Sequence, residues 1–372
     1  QTPAVPFPGS AFSYEVLVRW STRGFTDWMS ALDPFEYHLP IIVAASVPAA
    51  SPVSGGTTVV VSATNFMTSG DALSLACVFV GTTASGATEE VHVNATILTI
   101  ASLGCVSPPF APGTAELHIT VNGLQLSPFW VPFVFYHNNC TINSLSIDSG
   151  PVNGSTRTHA LGRGFVDTDI LCLFTMSSDN GTTTSTSVGT FVDGQDLVCV
   201  SPVADATGVA TVTLSLNGGQ DICTGKRGLF LYYYFPEVQL LLPNNIPVVE
   251  TYSNASTQLD LVGSGLNRTG GDLWSRFGAD NATECTVVSD SSAVCSAPPS
   301  QEGGVVNVSL SLNSYDWSLA SSVFTYVPLV DSYSPELGPN RGGTNISVLG
   351  HGFVDDDARG RSSCVFQSGR AV

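Results

Sequence analysis

Lysine is nearly absent from this chain. Lys226 is the only one, and 12 Lys+Arg face 30 Asp+Glu for a formal net charge of −18. Such a surface repels phosphate, which excludes nucleic acid as a partner. Charge of either sign is scarce, at 11% against roughly 25% in ordinary soluble proteins, so solubility needs another source. Long apolar runs are missing too: Val59–Val61 and Leu240–Leu242 are short, and nothing approaches the ~18–20 apolar residues of a membrane span. No signal-peptide pattern opens the sequence, as expected of a mature chain beginning at Gln1 after cleavage. No Cys-x-x-Cys pair offers a zinc site, and metal is not expected. The histidines (38, 92, 118, 137, 159 and 351) show no paired spacing, and His92 and His118 fall at outward strand positions. No Gly-rich element precedes a helix as a phosphate cradle must. An enzyme is therefore not expected, nor any cofactor.

What the chain has is Asn-X-Ser/Thr, nine times: Asn94, Asn139, Asn153, Asn180, Asn254, Asn267, Asn281, Asn307 and Asn345. In Val306-Asn307-Val308-Ser309-Leu310 the valines and the leucine point one way and Asn307 the other. Asn345-Ile346-Ser347-Val348 follows the same alternation. N-linked glycans on that outer face would supply the missing solubility; the plainer alternative is a polar outer face. Nine cysteines agree with an oxidising compartment.

Self-similarity organises the rest. Gly55-Gly56-Thr57 leads to Asn65-Phe66, Asn153-Gly154-Ser155 to Gly162-Arg163-Gly164-Phe165, and Gly342-Gly343-Thr344 to Gly350-His351-Gly352-Phe353. A further copy keeps Gly263-Ser264-Gly265-Leu266 but has lost the glycine pair around Asn254–Thr257. Cys-x-x-Pro recurs at Cys105, Cys199 and Cys295. An alternating strand follows each, then a hairpin signal at Asn122, Asn217 or Asn313, then an aromatic strand at Phe133–Tyr136, Phe230–Tyr234 and Phe324–Tyr326. The period of roughly 90–100 residues is that of a whole β-sandwich.

These motifs resemble the TIG/IPT family, the immunoglobulin-like domains of plexin-type receptors and many surface proteins. The resemblance rests on Pro335, Gly338-Pro339-x-Arg341-Gly342-Gly343-Thr344, Gly350-x-Gly352-Phe353, Cys-x-x-Pro and Phe-x-Tyr. It implies an all-β chain of tandem sandwiches: three complete domains at 40–136, 137–234 and 235–327, flanked by fragments at 1–39 and 328–372. It says little about function, because such domains serve many proteins. The repeat implies disulfides Cys77–Cys105 and Cys172–Cys199 at equivalent places, a shorter Cys285–Cys295, and Cys140–Cys223 within the second domain. Cys364 matches Cys77 and Cys172 by position and has no partner.

The two flanking fragments look complementary. Residues 328–372 carry the first half of a domain and lack Cys-x-x-Pro and Phe-x-Tyr. Residues 1–39 resemble the missing half: Pro8-Gly9-Ser10-Ala11 is similar to Pro112-Gly113-Thr114-Ala115, and Asp27-Trp28 to Tyr37 parallels Asp316-Trp317 to Tyr326. Tyr14, Val16, Val18, Trp20, Phe35 and Tyr37 are expected to bury against Ile346, Val348, Phe353, Val365 and Phe366. At about 1.5–3 kcal/mol per fully buried side chain, the set offers on the order of 15–25 kcal/mol as an upper bound, which outweighs the estimated 4–15 kcal/mol cost of association. Between identical chains the pairing runs head-to-tail and propagates as an open filament. The other source of the missing halves is a longer tandem-repeat polypeptide.

Two functions are carried forward, a structural filament subunit and a receptor or adhesin ectodomain binding a protein or carbohydrate. Asp167-x-Asp169 and Asp355-Asp356-Asp357 are candidate Ca²⁺ carboxylates, though solvated loop charge is the commoner meaning. Ser178–Thr190 reads as a polar Ser/Thr-rich loop, either an O-glycan site or only a long hairpin connection, and Tyr232–Phe235 as a strand end in core and interface rather than a sugar platform.

Overall fold

The computed structural model describes residues 13–20, 29–31, 35–66, 75–82, 86–178, 181–248, 257–270, 272–279, 282–319, 322–353 and 364–366. All regular structure among them is β.

In the first complete domain, alternating valines of Thr58–Thr64 put Val59, Val61 and Ala63 inside and their neighbours outside, the pattern of a half-buried strand. That strand lies between Ile42–Val47 and Ser102–Val106, with Thr96–Thr99 at the edge. The facing sheet runs Ala50–Pro52, Val131–Tyr136, Gly113–Thr120, Ala76–Thr82, Thr88–Asn94, its first pair parallel and the others antiparallel. Phe79, Phe133 and Phe135 meet edge-on between the sheets. The second domain repeats this order strand for strand. In the third, Thr283–Ser289 pairs in both sheets and joins them into one eight-stranded array. Three buried clusters form the cores. Bonds join Cys77 to Cys105, Cys140 to Cys223, Cys172 to Cys199 and Cys285 to Cys295, while Cys364 is free and exposed.

One local expectation is corrected and two are refined. Ser178–Thr190 is no loop: Gly181–Val188 pairs along its whole length with Leu171–Ser178, its β-branched threonines suiting an edge strand that faces water. His118 points to the outer face, yet is buried there, because the following loop folds back over it and its Nδ1–H donates to Ser127 O at 2.8 Å. Asn122 and Asn313 lie between paired antiparallel strands, as the hairpin signal implies. Their side-chain Oδ1 atoms accept backbone N–H bonds two and three residues on, and so cap longer loops.

Tyr136 and Tyr233 end the last strands of the first and second domains and pack into the core of the domain that follows. Each junction also carries one polar clasp. Thr57 Oγ1 donates to Asp221 Oδ2 at 2.6 Å, and Thr156 Oγ1 to Asp316 Oδ2 at 2.7 Å.

Candidate assembly interface

The described residues at the two ends form two-stranded pairings whose registers match opposite halves of a complete domain. Near the N-terminus Ser13–Val16 pairs antiparallel with Phe35–His38, Tyr14 opposite Tyr37 and Val16 opposite Phe35. Ala31 N donates to Val18 O. In the first domain Ala115 faces Phe133, Leu117 faces Val131, and Ser127 N donates to Ile119 O. The hydrogen-bond frames superimpose, so Tyr14, Val16, Val18 and Tyr37 hold the places of Ala115, Leu117, Ile119 and Phe133. Those four are core residues, with Leu117, Ile119 and Phe133 at 0% exposure, whereas Val16 is 36% and Val18 48% exposed. The strand is broken at residues 17–18 and resumes as Arg19–Trp20, paired with Met29–Ser30.

This register corrects two sequence alignments. Tyr14, not Ala11, takes the place of Ala115, and Tyr37 takes that of Phe324 rather than Tyr326. An odd shift turns every side chain of a strand to the other face. The structure follows the alternation of Tyr14 and Val16, which the Pro-Gly motif had contradicted.

Near the C-terminus Leu329–Ser334 pairs antiparallel with Ser347–His351 through a bulge. Ile42–Val47 pairs with Thr58–Thr64 through a bulge at the same step. Val330, Val348 and Phe353 thereby correspond to Val43, Val61 and Phe66. Phe353 is 45% exposed where Phe66 is 6% and Phe165 of the second domain 4%. A groove of about 980 Å³ opens here, lined among others by Tyr333, Ile346, Val348, Phe353, Val365 and Phe366. Val365 and Phe366 are exposed.

The glycine turn tells the same story. Gly55 and Gly154 have positive φ, and a Cβ on either would stand 2.4 and 2.7 Å from the backbone of Pro108 and Pro202. Each cradles the Pro that follows its domain's Cys-x-x motif. Gly342 has the same φ and the same N–H bond back to a proline carbonyl, but nothing lies within 4 Å of its Cβ position. Its cradle is built and unfilled among the described residues.

Of the expected interface residues, Val16, Val18, Phe35, Ile346, Val348, Phe353, Val365 and Phe366 lie on these two uncovered faces. Phe35 and Tyr37 meet edge-on at 5.0 Å. The side chains of Tyr14 and Trp20, and residues 1–12, 21–28 and 32–34, lie outside the described residues. Of the sequons, Asn94, Asn139, Asn153, Asn267, Asn307 and Asn345 are exposed. Asn180, Asn254 and Asn281 lie outside the described residues, as do Asp355–Asp357. Among the described residues no cluster of His, Cys, Asp or Glu could hold a metal, and no helix is long and apolar enough to cross a membrane.

The IPT/TIG domain family matches residues 40–134 and 245–326. Fibrocystin-L of Mus musculus is 24% identical over 327 residues, 84% of this chain, and the chain spans 7% of that protein's length. The extracellular region of plexin A4 is similar at a TM-score of 0.41 and 14% identity, covering 86% of this chain and 28% of that one. The Escherichia coli adhesin FdeC is similar at a TM-score of 0.28 and 17% identity, covering 77% and 96%.

Proposed function

From a chain built of IPT/TIG domains, we infer an extracellular glycoprotein subunit that assembles head-to-tail, residues 1–39 of one copy completing the domain begun by residues 328–372 of the next. Four disulfides in three small domains suit an oxidising compartment. The exposed sequons suit a glycan coat that keeps a charge-poor surface in solution.

One observation carries the assembly: both terminal hairpins present, uncovered, side chains at positions that are sealed in the complete domains. A file of apolar side chains beside unpaired strand edges associates unless covered. The two files belong to opposite halves of one fold, so each is the natural cover of the other. Because the contact is heterologous, it propagates.

Electron microscopy and sedimentation test this directly. The wild-type chain is expected as long particles repeating once per subunit. Val16→Asp and Phe353→Asp should each abolish them while leaving the melting of the three complete domains unchanged. A mixture of the two variants should stop at dimers, the intact hairpin of the Phe353→Asp chain filling the intact groove of the Val16→Asp chain. A wild-type chain that stays monomeric at high concentration overturns the proposal. It would leave a tandem polypeptide, or a monomeric receptor or adhesin ectodomain, as the standing alternative.

A further inference from the structure

The first domain carries a clasp with nothing in it among the described residues. At both internal junctions a loop of the following domain grips the glycine turn of the preceding one. In the third domain Asn313 Nδ2 donates to Asp316 Oδ2 and to Ser149 O, both at 2.8 Å, and Asp316 accepts from Thr156. In the second, Asn217 Nδ2 donates to Asp221 Oδ2 at 2.6 Å, and Asp221 accepts from Thr57. The first domain builds the same device from Asn122 and Gln125. Asn122 Oδ1 accepts from Gln125 N at 3.0 Å, as Asn313 Oδ1 does from Asp316 N at 2.8 Å. Asn122 Nδ2 is bonded to Gln125 Oε1. The carboxamide oxygen thus stands where the two carboxylates stand, with a second lone pair to accept from a hydroxyl. Asn122 and Gln125 are both exposed, and Leu124 between them is 83% exposed.

Position selects the counterpart. A clasp always reaches the domain preceding its own, and the domain preceding the first ends in Phe35–His38. Its glycine turn would be Gly342-Gly343-Thr344, since Gly342 N bonds Pro339 O as Gly55 bonds Pro52 and Gly154 bonds Pro151. Thr344 therefore corresponds to Thr57 and Thr156, and Leu337 to Ser149. Thr344 and Leu337 are exposed. We propose that Gln125 and Asn122 of one chain bind Thr344 Oγ1 and the Leu337 carbonyl of a second copy, fixing the angle between subunits as Asp221 and Asp316 fix it between domains.

This rests on the head-to-tail assembly, so the test uses the dimer formed by mixing the Val16→Asp chain, which presents Thr344, with the Phe353→Asp chain, which presents Gln125. Thr344→Val on the first and Gln125→Ala on the second should each weaken that dimer about three- to tenfold, the loss of one hydrogen bond. Together they should do little more than either alone. Gln125→Asp, which restores the residue used at the other junctions, should bind at least as tightly as wild type. All of these positions are exposed, and unchanged melting confirms folding. Dimers of unaltered affinity in every variant, or effects that simply add, overturn the clasp and leave the head-to-tail assembly standing. Absence of any dimer overturns both.

Discussion

Tyr136, Tyr232 and Tyr233 hold their phenolic protons far above the ordinary value of 10.0, because burial penalises the phenolate. Asp221 beside Tyr136 and Asp316 beside Tyr233 add a smaller push in the same direction. The sign follows: a raised folded-state value contributes stability that is complete below pH 10 and is lost as pH climbs beyond it, where the unfolded chain ionises and the folded one does not. Ultraviolet titration should show these tyrosines ionising only together with loss of near-ultraviolet dichroism. A smooth titration of all ten tyrosines near pH 10 would contradict their burial.

Single strands show what sequence patterns can and cannot carry. The alternation in Thr58–Thr64, and in the sequon strand around Asn307, was legible because one face meets the core and the other water. The Thr-rich segment Gly181–Val188 gave no such signal, since an edge strand over a solvated face has nothing apolar to alternate. The burial of His118 was hidden for a related reason: it comes from the loop at Ser127 covering the outer face, a contact no local pattern encodes. The junction clasps were invisible as well, because Thr57–Asp221 and Thr156–Asp316 are joined only by the way successive domains stack. Asp316→Ala removes the acceptor for both Thr156 and Asn313. It should weaken the junction of the second and third domains by about 1–2 kcal/mol. Small-angle scattering should then show a broader range of domain angles, with domain melting temperatures within a few degrees of wild type. An unchanged scattering profile would mean that Tyr233 packing alone sets the angle.

For the molecule as a whole, scarcity of charge is the governing property. With 11% charged residues and no lysine but Lys226, the protein surface has few ionic groups to keep assemblies apart, and glycans at the exposed sequons take that part in our proposal. Enzymatic removal of N-glycans should lower the mass in steps and drive the protein to lateral aggregation, while disulfides and domain melting persist. A chain that carries no glycan and stays dispersed would show that its polar Ser, Thr and Asn suffice.

The sequence alone determined the all-β repeat and the spacing of its cysteines. Each of these depends on short-range periodicity or on counting, and both survive in one dimension. Only the tertiary structure decided the register of the terminal hairpins, hence which side chains stand uncovered, and only it aligned Gln125 with Asp221 and Asp316. Register and stacking are settled by hydrogen bonds between segments far apart in the chain, so they exist only once those segments have met.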